Sequence, residues 1–399
     1  MANRLQNLYR MVQLIRSAGY SSRPKLAEAL NLNLPAVSSL TRELIERSLL
    51  IEEGYAQSEG GRRAAYLKIN PAFGRAIGVA FRQNSLQAVL MDLGGAVVDT
   101  TGVVAVPEAP QAAIARLAAL IGELIERHGG VRPLGIGIAA AGTIDPAGGT
   151  ISRNFPTVSR WKDVQIVAEL QSGLDLPIHL EHDIQAATLA ELRYGAARGV
   201  GSMIYLHIGT GIALGLVMND EIYAGMRGNS GEFGHTIVEP GGPVCYCGNN
   251  GCLEAVAGPP ALARKAQTAI RQGVQSVLSD HLDKKGEIQP VGVFEAAQQG
   301  DRLAVNLVTK AADSIGVAVA GIVNVLNPAM LMLGGLCTGG YDVFNFELRR
   351  VLHINALPGH LRGLRVEMSH FKENASAVGA ASLVFEKIFR DPALLLGAR

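Results

Sequence analysis

Apolar residues at the start of the chain recur at helical spacing. Leu5, Leu8, Val12 and Ile15 share one face of a first amphipathic helix that stops near Gly19, since positions three and four apart lie on the same side of a helix. A second helix is expected over about residues 23–30. Asn31-Leu32-Asn33 then makes a short turn, and Pro35 falls in the first turn of a third helix, where its missing N–H costs nothing. On that helix Val37, Leu40 and Leu44 fall on one face, leaving Ala36, Ser38, Ser39 and Arg42 on the other. After Leu50 the pattern predicts a β-hairpin: residues 49–51 run out, Gly60-Gly61 turn, and residues 66–69 return, with Arg62 and Arg63 at the tip.

Further along, short apolar runs alternate with helical segments. Residues 76–81 and 86–91 read as hairpin strands, 112–127 as a helix, and 134–141 as a buried strand ending at Gly142. A strand over 178–180 precedes a helix from Asp183 to about residue 194. Strands over 203–208 and 213–218 flank the Gly209-Thr210-Gly211 turn. A helix over 311–326 and a strand over 330–333 close on Gly334-Gly335. This alternation predicts a two-lobed mixed α/β body with clefts where strands end in glycine turns. The 399-residue length and 47 glycines suit that architecture, and nothing in them calls for a small stapled fold.

Charge changes the picture at the start of the chain. Ten basic against six acidic residues through Asn70 leave +4 there and −3 over the rest of a chain whose total is +1, an asymmetry expected when one small domain meets phosphate. Three helices, a hairpin wing and this charge predict a winged helix-turn-helix over residues 1–70. Ala36, Ser38 and Ser39 are short enough to let the third helix enter a major groove, where Arg42 reaches guanine or phosphate. Arg62 and Arg63 are placed for phosphate or a minor groove. A three-helix bundle used for protein contacts is the alternative.

The N-terminus lacks the apolar core and cleavage site of a signal peptide. The longest uncharged stretch, Ser314 to Tyr341, is interrupted by Asn324, Asn327, Pro328 and Gly334-Gly335, which suits a buried helix and strand better than a membrane span. A cytoplasmic location without membrane insertion is expected. There, the crowding of Cys245, Cys247 and Cys252 points to metal more than to disulfide. With His235 they supply three thiolates and one imidazole, the full complement of a closed, structural Zn2+ site without room for a catalytic water. Gly248 and Gly251 let the chain fold back around the ion. A cysteine cluster beside a core histidine is the alternative.

The segments Gly231-Glu-Phe-Gly-His235 and Cys245-Tyr-Cys-Gly-Asn-Asn-Gly-Cys-Leu-Glu254, behind a helix-turn-helix, resemble the ROK family (repressors, open reading frames and kinases) over essentially the whole chain, and most of all its sugar-responsive repressors. The resemblance implies an actin/hexokinase-like sugar-kinase fold, with a first lobe over 71–195 and a second over 196–399 that carries the zinc site and an oligomerisation surface. It also implies a sugar pocket between the lobes. Asp183 matches the family's catalytic base, preceded by His182 where the kinases usually have Asn. Asn154 matches a sugar-contacting Asn, and Glu232, His235 and Glu254 match sugar-side residues of the two motifs. Carboxylates and amides suit this role because each pairs with two adjacent hydroxyls. Taken singly, Asp183 also suits a helix N-cap, and Glu232 and Glu254 suit solvated turns.

The family's kinases carry a turn reading roughly DIGGT for ATP phosphates. Here Ala80-Phe81-Arg82-Gln83-Asn84 stands in its place, with no carboxylate for magnesium and bulky side chains for glycines. The expectation is therefore no enzyme and a vestigial base at Asp183. The chain reads as a sugar-responsive transcriptional regulator that binds operator DNA and a sugar or sugar phosphate, as a homodimer or homotetramer. An ATP-dependent hexose kinase with an accessory DNA-binding domain is the second reading, and a protein-interaction scaffold the third.

Overall fold

A computed structural model describes residues 2–55, 64–129, 132–153, 161–283 and 286–390. Its contacts divide into two units, Met1–Gly199 with Asn374–Arg399, and Val200–Glu373.

The first unit opens with helices Ala2–Ala18, Arg23–Leu30 and Leu34–Glu46. Their apolar stripes supply a small core in which Leu8, Val12, Ile15, Leu26, Val37, Leu44 and Leu67 are buried. Ser21–Ser22 and Leu50–Tyr55 flank Ala65–Ile69 in an antiparallel three-stranded sheet. The turn between the second and third helices is a double cap. Asn31 takes a left-handed conformation (φ 53°) to end one helix, and the Asn33 side chain accepts from the Ala36 amide at 2.9 Å to begin the next. Arg23 ties the pair together: its Nε donates to Thr41 Oγ1 at 3.0 Å and its guanidinium pairs with Glu52 at 2.6 Å.

The main sheet of this unit runs Ile178–His182, Ile136–Ala140, Arg75–Phe81, Ser85–Asp92, Val97–Thr100, with Val104–Ala105 also paired to Ser85–Asp92. The first three strands are parallel. Side chains alternate between faces along each strand. Ile77, Val79, Phe81 and Ile138 therefore pack with Leu117 and Ile121 of helix Pro110–Arg127, while Ala80 and Ala139 meet Ala377 and Ala380 of helix Ala375–Arg390 on the other side. That contact is backbone to backbone. A Cβ on Gly78 would lie 2.0 Å from the Ala377 carbonyl, and one on Gly137 1.8 Å from that of Ala380. This fit places the last helix with the first unit, although it falls within the 196–399 stretch that the sequence reading groups as one lobe.

The second unit is built on Glu221–Ile222, Ile212–Met218, Met203–Ile208, Met330–Gly335 and Arg365–Met368, in that order. Met203–Ile208, Met330–Gly335 and Arg365–Met368 are parallel. Helix Arg302–Leu326 spans its core, burying Val308, Ala312, Ile315, Val319 and Val323. It begins nine residues before the predicted 311, because Asp301 caps it by accepting from the Ala304 amide at 2.9 Å. Among the described residues it is the one helix long and apolar enough to cross a membrane. Its apolar face packs in this core, and its successor Met330–Gly335 is a sheet strand.

Candidate functional site

In the second unit one ligand atom each from His235, Cys245, Cys247 and Cys252 lies within 4.8 Å of the others. Cys245 Sγ is 3.5 Å from His235 Nδ1, and Cys247 Sγ is 3.6 Å from Cys252 Sγ. With metal–sulfur bonds of about 2.3 Å and metal–nitrogen bonds of about 2.0 Å, the edges of a tetrahedron around zinc are about 3.5–3.8 Å. The donor set therefore fits such a cation, and Nδ1 is the ring atom turned to it. Burial pushes the Cys245 and Cys252 thiols up, so these groups become thiolates readily only beside a cation. Local backbone explains the convergence. Gly251 is left-handed (φ 76°), and a Cβ there would lie 1.7 Å from the Glu239 carbonyl, so the ligand loop closes only around glycine.

The other ring nitrogen of His235 faces away from the metal cluster. Nε2 lies 2.9 Å from Tyr246 Oη and 3.8 Å from Glu232. Tyr246 sits edge-on to the imidazole, centroids 5.0 Å apart. Glu232 is exposed, whereas Glu254 is half-buried and accepts from the Ile212 amide at 2.9 Å. Burial raises the carboxyl of Glu254, and the Ile212 hydrogen bond opposes that shift. Parallel pairing sets Ile208 beside Gly335, so the Gly209–Gly211 and Gly334–Gly335 turns share one sheet edge. The His207 ring occupies the space between them: a Cβ on Gly209 would lie 2.7 Å from its Nε2, and one on Gly335 3.0 Å from its Cε1.

In the first unit the parallel strands end level, Phe81 and His182 both in register with Ala140. Ligands of open α/β sheets collect at that edge. Asp183 is the first residue of helix Asp183–Tyr194, and the cap is His182, whose Nδ1 accepts from the Ile184 amide at 3.4 Å. The carboxylate of Asp183 is thus not spent on capping, as its alternative reading had it; it lies 3.3 Å from His182 Nδ1. At the same edge Ala80 is buried in strand Arg75–Phe81, and a tight turn follows in which the Arg82 amide donates to the Ser85 carbonyl at 2.9 Å.

On the third helix Ser39 and Arg42 are exposed, Ala36 and Ser38 half-buried, and Val37, Leu40 and Leu44 buried as expected from spacing. Arg62, Arg63 and Asn154 lie outside the described residues. The structure therefore gathers the metal ligands with Glu232 and Glu254 in one unit, and His182 with Asp183 in the other. Sequence reasoning missed Tyr246 and His207. Tyr246, between two ligand cysteines, was visible in Cys245-Tyr-Cys247; His207 becomes meaningful only once two distant glycine turns are neighbours.

The ROK family pattern matches residues 76–387. A putative xylose repressor of Caldicellulosiruptor sp. is 31% identical over 374 residues, 93% of each chain. The crystal structure of a ROK family transcriptional regulator, a homologue of the E. coli MLC protein, superposes with a TM-score of 0.81 at 26% identity, covering 99% of this chain and 98% of that one. A ROK family glucokinase from Streptomyces griseus, in complex with glucose and AMPPNP, superposes with a TM-score of 0.67 at 27% identity, covering 78% of this chain and all of that one.

Proposed function

The chain belongs to the ROK family, and from that premise we propose that it is a sugar-responsive transcriptional repressor of carbohydrate genes, acting in the cytoplasm as a homodimer or homotetramer on operator DNA. One observation carries the reading. The two regulators match 93–99% of this chain, whereas the glucokinase matches 78%, and the sequence carries a helix-turn-helix pattern ahead of the family segment.

In this reading Ser39 and Arg42, flanked by Ala36 and Ser38, face the major groove, and Arg62 and Arg63 reach the backbone beside it. As the family resemblance implies, Asn154, His182, Asp183, Glu232, His235 and Glu254 contact sugar hydroxyls. Zinc held by His235, Cys245, Cys247 and Cys252 braces the loop that carries His235 and Glu254 and does no chemistry. Sugar then shifts the equilibrium between DNA-competent and DNA-incompetent arrangements by its difference in affinity for the two.

The glucokinase relative supports a second reading, phosphoryl transfer from ATP. Against it stand Ala80 in place of a magnesium-positioning carboxylate and the imidazole of His207 between the surviving glycine turns.

The test uses the full chain and a DNA duplex recovered by in-vitro selection on it. Fluorescence anisotropy is measured with D-xylose, D-glucose, N-acetylglucosamine and N-acetylglucosamine 6-phosphate. At least one should change DNA affinity by about tenfold, the scale of an ordinary allosteric coupling. No selectable duplex, or ATP consumption in the presence of any of the sugars, overturns the reading.

A further inference from the structure

One buried carboxylate in the first unit holds two guanidiniums from distant parts of the sequence. Glu386, on helix Ala375–Arg390, lies 2.6 Å from Arg16 and 2.9 Å from Arg193, and only 7% of its side chain is exposed. Arg16 belongs to the first helix of the helix-turn-helix segment, and Arg193 to the last turn of helix Asp183–Tyr194. The Arg16 guanidinium also lies over the Phe389 ring, 4.1 Å from its centroid. Nothing in the sugar or metal chemistry uses this triad.

The position of Arg193 is what gives the triad meaning. The helix it ends begins with Asp183, capped by His182, and its residues from Ile184 to Leu192 are all buried. At a rise of about 1.5 Å per residue such a helix is a rod about 18 Å long. It has no soft layer beneath it. A Cβ on Gly379 would lie 1.7 Å from the Ala186 carbonyl, so the backbones of this helix and of Ala375–Arg390 are in direct contact. A displacement at the Asp183 end is carried to Arg193 rather than absorbed by side chains.

We propose that helix Asp183–Tyr194 is the lever of the sugar response, and that the Arg16–Glu386–Arg193 triad is the clamp through which it reaches the DNA-binding segment. The inference rests on the repressor reading and names the regulation of its site. Arg16 and Arg193 are positioning residues: neither touches sugar or DNA. The clamp suits a switch because buried ion pairs tolerate little misalignment. A small shift of Arg193 takes the triad from satisfied to unsatisfied, and two packed arrangements replace a continuous deformation.

The test compares the full-length parent with Arg16→Met, which keeps the stem over Phe389, removes the charge and leaves Glu386 paired with Arg193, and with Arg16→Met/Glu386→Gln, which also removes the charge that Arg193 pairs with. Sugar binding is read by calorimetry, and DNA binding by anisotropy on the selected duplex, with the same four sugars. Both variants should bind sugar within about twofold of the parent and still bind DNA, while a parental response of about tenfold falls to less than about threefold. If Arg16→Met alone does not fold, the double variant carries the same expectation. Hydrogen exchange should lose the sugar-dependent change in helix Ala2–Ala18 while keeping that in helix Asp183–Tyr194. Variants whose DNA response equals the parent's overturn the clamp alone. A parent that binds none of the four sugars overturns the repressor reading and the clamp with it.

Discussion

The Ile212 amide donates to the Glu254 carboxylate at 2.9 Å, across 42 residues of sequence. Two absent side chains make the contact possible: a Cβ on Gly211 would lie 2.5 Å from Glu254 Oε2, and one on Gly234 would lie 2.5 Å from the Ile212 carbonyl. The glycine turn and the Gly231–His235 segment are therefore shaped around one carboxylate, which sits in the first turn of the helix that Cys252 precedes.

Glu254→Gln keeps an oxygen to accept from Ile212 and loses the charge. Thermal stability should stay within about 1 kcal/mol of the parent, while affinity for the responding sugar falls at least about tenfold, the cost of one charged hydrogen bond at about 1.5–3 kcal/mol. Gly234→Ala has the opposite signature. Its methyl collides with backbone, and overpacking should lower stability by about 1–3 kcal/mol with metal still bound. Calorimetric melts beside sugar titrations separate the two.

Removing one metal ligand should unbrace the same loop. Cys252→Ser is expected to lose stoichiometric zinc by elemental analysis, and to lose about 3 kcal/mol or more of stability, since binding energy at a structural site is folding energy. Metal retention should weaken as pH falls, because the thiolates must shed protons to bind. Full sugar affinity in the metal-free variant would show that the zinc loop does not brace the site.

The Glu386 carboxyl gives a stability signature in acid. Burial pushes it up, yet Arg16 and Arg193 overcome that and hold it down at about 2, below its ordinary 4.5. A depressed carboxyl contributes stability that is fully present above the unfolded value and is lost as pH falls from 4.5 towards 2. At about 1.4 kcal/mol per unit the contribution is about 3 kcal/mol. Urea melts of parent and Glu386→Gln should therefore differ most near neutrality and converge only at about pH 2 and below. A gap independent of pH would place the contribution of Glu386 elsewhere than in its charge.

On the DNA side, Arg42 is exposed on a helix whose opposite face is buried. Arg42→Ala should weaken binding to the selected duplex by about 1–3 kcal/mol. If its partner is phosphate, the loss is uniform over sequences and the salt slope drops by about 1; if its partner is guanine, specificity relaxes at one position. Equal affinity and equal slope would remove Arg42 from the interface.

Much of this was legible in the chain itself. Helix spacing predicted all three leading helices, and Val37, Leu40 and Leu44 are buried as that spacing requires. Short-range motifs were equally readable: His235 and the three cysteines fall within eighteen residues, so local turns suffice to bring them together. The ROK resemblance, and through it the expectation of a sugar-kinase-like body, followed from two such motifs behind the helix-turn-helix pattern.

What the tertiary structure alone decided lies at long sequence separation. Arg16 and Glu386 are 370 residues apart, and no periodicity announces that two charges will be buried on one another. Likewise the last helix joined the first unit because Gly78, Gly137 and Gly379 let backbones touch, and His207 gained neighbours only when parallel strands aligned two glycine turns. Local patterns are set by the geometry of a few bonds, so sequence determines them; pairings across the chain are set by which surfaces fit, and that is settled only when the whole chain packs.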